Sequence, residues 1–93
     1  MIINFKDIVS LQRLYIEIFE EEDGFPVDNR IVRNKEKAVQ RILEKITSDD
    51  YKQREIWYII QTKSWDNKDN TYKPICDSLR DIGFEIAGDK WWK

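Results

Sequence analysis

A 93-residue chain with 41% apolar side chains, 12 aromatics among them (13%), has enough material for one small packed core, which excludes wholesale disorder. The net charge is only −2, histidine is absent and cysteine occurs once, at Cys76. That inventory excludes histidine-based general-base catalysis, Cys/His zinc centres and an intramolecular disulfide framework, and leaves carboxylate, lysine, tyrosine or Mg²⁺ chemistry.

The first amphipathic pattern runs over residues 7–21, where Ile8, Leu11, Leu14, Tyr15, Ile18 and Phe19 fall at helical spacing. Asn4 or Asp7 is placed to cap this helix. It ends on Glu20-Glu21-Glu22-Asp23, four carboxylates at the negative end of the helix dipole, an electrostatically costly position. Gly24-Phe25-Pro26 stops it. Residues 24–34 then read as a connector, with Arg30-Ile31-Val32-Arg33 as a short extended piece.

Asn34 is a good cap for a second helix over residues 35–47, with Val39, Ile42, Leu43 and Ile46 on its apolar face. Lys37, Arg41 and Lys45 recur every fourth residue on the other side and form a basic stripe. Residues 49–63 are open to two readings. Asp50 with Gln53 resembles a capping box, and Ile56, Ile59 and Ile60 suit a helix face. Ile56-Trp57-Tyr58-Ile59-Ile60 is equally a buried-strand composition. The cap and the lack of alternation favour helix.

Residues 64–70 are a polar loop, and Thr71 is placed to cap a helix over residues 71–82 with Pro74 in its first turn. Tyr72, Ile75, Cys76, Leu79 and Ile82 are its inner face, and Gly83 is its stop. Two short runs follow, 84–87 and 90–93, joined by Gly88-Asp89, a two-residue hairpin turn. That hairpin pairs Ile86 with Trp91 and Glu85 with Trp92, burying Phe84, Ile86 and Trp91 and leaving Trp92 outside. The expected fold is a mostly helical α+β single domain over residues 1–93, three or four helices closed by a C-terminal β-hairpin. The layout of residues 49–93 resembles the winged-helix family, which implies a DNA-reading helix at 71–82. The charges there are mixed, Lys73 and Arg80 against Asp77 and Asp81, whereas duplex binding needs a clearly basic face.

Charge is sorted along the chain. Residues 1–28 carry seven acidic side chains against two basic, and residues 29–63 carry nine basic against five acidic. Such asymmetry points to electrostatically guided binding of a partner or of a second copy. The partner-binding candidates are Glu17, Glu20, Glu21, Glu22, Asp23, Phe25 and Asp28, with Trp92, and Trp65 or Trp57, as aromatic anchors. Clustered carboxylates stand in for phosphates and suit the basic groove of a nucleic-acid-handling protein. The alternative is direct nucleic-acid binding by Arg30, Arg33, Lys37, Arg41 and Lys45. A third pattern, Asp49 and Asp50 with Gln61-Thr62-Lys63, weakly resembles the Mg²⁺ site of restriction-type nucleases, and it requires residues 54–62 to be a strand.

The expectation is therefore a non-catalytic binding protein, an inhibitor or adaptor with no cofactor and no metal. Cys76 reads as a core residue and suits a reducing, cytoplasmic setting. Met1–Lys6 is too short for a signal peptide, and no apolar run is long enough to enter a membrane. Fourteen isoleucines against two alanines fit an AT-rich genome, such as that of a low-GC bacterium or its phage.

Overall fold

The computed structural model describes residues 1–23, 29–64 and 72–88, with the backbone alone for residues 20–23 and 29. In chain order the elements are β1 (Ile2–Asn4), α1 (Phe5–Asp23), α2 (Asn29–Ile46), α3 (Asp50–Lys63), α4 (Lys73–Asp81) and β2 (Glu85–Ala87). α1 packs against α2, α3 and β1, and α3 carries α4 on its other flank. The core draws on β1 and on α1, α2, α3 and α4, with Phe84 just before β2: Ile3, Ile8, Leu11, Ile56, Ile60, Ile75, Cys76 and Leu79 are fully buried, and Phe5, Ile18, Val32, Val39, Leu43 and Phe84 nearly so.

α1 starts two residues before its expected first residue, directly out of β1, because Phe5 is itself a core residue. Asp7 therefore lies inside the first turn, where its negative charge suits the helix dipole. The apolar face is narrower than its periodicity predicts. Ile8, Leu11 and Ile18 are buried and Leu14 and Tyr15 half-buried, while Phe19 is 39% exposed.

α2 corrects the expectation of an extended piece at 30–33 and a cap at Asn34. The helix begins at Asn29, and Asn34 is an exposed mid-helix residue. The reason is Val32, which is buried in line with Val39 and Leu43 at spacings of seven and four, so the apolar stripe continues one turn beyond the apparent cap.

α3 is helical throughout, which settles the 54–62 ambiguity. Gln53, Ile56 and Ile60 are buried at steps of three and four, the helical period and not the alternation of a strand. The cap is Asp49 and not Asp50: its carboxylate accepts from the backbone N–H of Tyr51 (2.9 Å) and of Lys52 (3.4 Å). Gln53 therefore takes no part in a capping box. Its amide is buried, donating to the Thr47 carbonyl at 2.7 Å and accepting from Gln40 Nε2 at 3.0 Å, and so locks the α2–α3 corner.

In α4, Pro74 occupies the first turn as expected, and Ile75, Cys76 and Leu79 form the buried face. Tyr72 holds the cap position with no side-chain cap bond; Thr71, the expected cap, lies outside the described residues. Tyr72 stacks edge-on against Phe5 at 5.2 Å between ring centroids. Burial raises its phenol above the usual value, and the nearby Arg13 charge partly opposes the shift. The helix closes with Gly83 at φ 101°, its N–H donating to Arg80 and that of Phe84 to Leu79, a Schellman ending.

The strand expected after Gly83 is present as β2, but its partner among the described residues is the chain start. β1 and β2 pair in parallel, Ile2 with Glu85, Ile3 with Ile86 and Asn4 with Ala87. Phe84 is buried, as expected, whereas Ile86 is only half-buried. The second hairpin arm and its Ile86–Trp91 and Glu85–Trp92 pairs lie outside the described residues.

Candidate functional site

The sorted charge resolves first into internal pairing. Lys45 Nζ meets Asp7 Oδ1 at 2.9 Å, and Lys35 Nζ meets Glu17 Oε2 at 3.2 Å. Asp7 to Glu17 is ten residues along α1, and Lys35 to Lys45 is ten residues back along α2, so the two pairs fix one antiparallel register. α1, from the acid-rich segment, and α2, from the base-rich one, are thus the two arms of a helical hairpin. The Asp7 side chain is only 8% exposed and its pair carries weight; Glu17 is 41% exposed, and such a pair contributes about 0–1 kcal/mol.

Of the candidate partner-binding residues, Glu17 is therefore engaged by Lys35. Glu20, Glu21, Glu22 and Asp23 form the last turn of α1, which the hairpin register sets opposite residues 29–32 of α2. Phe25, Asp28, Trp65 and Trp92 lie outside the described residues. Trp57 is described and half-buried.

Trp57 leads to a feature that the periodicity conceals. Its ring meets Tyr15 edge-to-face at 5.9 Å and 87°, and Tyr15 meets Phe19 at 6.4 Å. Tyr15, Ile18 and Phe19 from α1, Glu36 from α2, and Trp57 and Gln61 from α3 line an open cleft of ≈ 710 Å³ including its mouth. Two helical i,i+4 pairs build it, Tyr15/Phe19 and Trp57/Gln61, meeting across the α1–α3 contact. In sequence Tyr15 and Phe19 read as core, since amphipathic spacing does not separate a residue at the centre of an apolar face from one at its rim. The cleft offers aromatic walls, one carboxylate and one amide. That combination takes an apolar or guanidinium side chain, the latter through ring contact and the Glu36 charge. The acidic last turn of α1 begins at the residue after Phe19.

On α2, Arg30, Arg33, Lys37 and Arg41 are exposed. Lys45, the fifth candidate of the basic stripe, is committed to Asp7. Arg30, Arg33, Asn34 and Lys37 line a shallow depression on the helix surface.

The nuclease-like pattern is not assembled. Its strand is the helix α3, Asp49 is the helix cap, and Asp50 and Lys63 sit at opposite ends of a helix roughly 20 Å long. Among the described residues no group of three His, Cys, Asp or Glu side chains is placed to hold a metal ion. Cys76 is fully buried, a core residue as expected. No helix among the described residues is long and apolar enough to cross a membrane.

No protein-family model matches the chain, and comparison with curated proteins and with solved structures returns no match.

Proposed function

We propose that this protein is a non-catalytic protein-binding module, a small inhibitor or adaptor that docks on a basic, nucleic-acid-handling protein. The observation that carries the reading is the aromatic cleft of Tyr15, Phe19 and Trp57, whose α1 wall ends at Phe19, immediately before Glu20-Glu21-Glu22-Asp23 in the sequence. An aromatic cleft followed along the chain by four acidic residues suits a partner segment with an apolar or arginine side chain flanked by basic residues. The buried free thiol of Cys76 suits a cytoplasmic setting, and the composition suits a phage or mobile-element origin. A winged-helix regulator is the lesser reading, because α4, the helix that would read DNA, carries mixed charge, with Lys73 and Arg80 both meeting Asp77.

The test is affinity capture from nuclease-treated lysate with the wild-type chain, a Phe19→Ala variant, and a variant reversing Glu20, Glu21, Glu22 and Asp23 to lysine. A basic protein retained by wild type and depleted at least about tenfold by each variant, roughly 1.4 kcal/mol, is the expected result. Equal retention by the charge-reversed variant, with its thermal unfolding intact, rejects the reading.

A further inference from the structure

We infer that the solvent face of α2 is a second binding surface, for the phosphodiester backbone of nucleic acid. Arg33, Lys37 and Arg41 are exposed and follow one another every fourth residue, so their charges repel along the helix. None of the three takes part in an ion pair among the described residues, in contrast to Lys35 and Lys45 on the same helix, which reach across to α1. At 100° per residue the three cluster on the side turned roughly 140° from buried Val32, Val39 and Leu43. Packing therefore does not require them. Two exposed acidic side chains stand at i,i+3 from the stripe, Glu36 from Arg33 and Glu44 from Arg41; Glu44 accepts from Gln40 Nε2 at 3.2 Å, and neither forms an ion pair with the three cations among the described residues.

The geometry selects the ligand. The stripe is linear, roughly 12 Å long with a cation about every 6 Å, which fits a polymer of repeating charge better than a single phosphate. Two of the three residues are arginines, whose planar fork suits phosphate oxygens. An anionic membrane fits poorly, because an interfacial helix must insert its apolar face and that of α2 is spent on the core. None of the three residues lines the aromatic cleft, so, taken with the proposed function, the protein has one face for a protein and one for the nucleic acid which that protein handles.

The test is fluorescence anisotropy of the full chain with a short labelled DNA duplex, a labelled single strand, and labelled poly-glutamate as the acidic-polypeptide arm. Three phosphate contacts give a slope of log K against log salt of about −2.7 on duplex and about −2.1 on single strand. On duplex this is roughly a 40-fold loss between about 50 and about 200 mM salt. Arg33→Ala, Lys37→Ala and Arg41→Ala each reduce the slope by about 1, whereas Lys73→Ala, at a lysine paired with Asp77, leaves it unchanged. Whichever nucleic acid binds with that pattern is the ligand. Absence of binding to both at low salt, equal binding of poly-glutamate, or an unchanged slope in the folded triple variant overturns the inference.

Discussion

Asp7 and Glu17 carry the same charge on the same helix, yet they differ in what their lysines do for them. The Asp7 carboxylate is 8% exposed, so Lys45 is the group that makes its burial tolerable; Glu17, at 41%, is solvated with or without Lys35. Lys45→Met is therefore expected to destabilise the fold by about 1–2 kcal/mol, since it strands a buried charge. Lys35→Met is expected to cost no more than about 0–1 kcal/mol. Urea denaturation of the two variants measures the difference, and equal midpoints would mean that the Asp7 pair does not act as a buried one. This contrast also marks what the sequence reveals about charge. The opposing blocks are legible in the amino-acid order; that they meet inside one molecule is not, because the register between two helices is a property of their packing.

Among the elements, α4 is the most legible because backbone-specific residues bound it: Pro74 supplies a first-turn φ, and Gly83 at φ 101° supplies a left-handed stop. Among the described residues, no atom apart from those of Gly83 and its two chain neighbours lies within 4 Å of where a Cβ on Gly83 would sit, so Gly83→Ala tests backbone conformation alone. It is expected to cost about 1–2 kcal/mol in a thermal or urea melt, and a neutral result would show that the Schellman ending relaxes freely. α2 was less legible, since Asn34 has the chemistry of a cap and outweighs the single valine that carries the stripe past it. α3 was ambiguous for a related reason: isoleucine, tryptophan and tyrosine favour strands, and burial of Gln53, Ile56 and Ile60 on one face overrides that preference. The aromatic cleft stayed hidden because it depends on which rim of α1 meets α3, and periodicity alone does not carry that. β1 gave no signal, since a three-residue strand has no measurable alternation and its partner is remote.

For the molecule as a whole, the β1–β2 pairing joins the first described residues to the last, and Ile3 is where that junction enters the core. Ile3 is fully buried and Ile2 is 61% exposed. Ile3→Ala is expected to destabilise by about 2–5 kcal/mol, while Ile2→Ala stays within about 0.5 kcal/mol. Urea melts compare the two, and equal effects would dissociate the strand from the core. The same junction bears on how the chain is made. Ile3 and Ile86 are 83 residues apart, and at ordinary rates of protein synthesis the second follows the first by roughly 4–17 s. For that interval a nascent polypeptide carries an isoleucine pair with an open strand edge and no mate to receive it. Of the two strands, the one made earlier has to wait for the one made later.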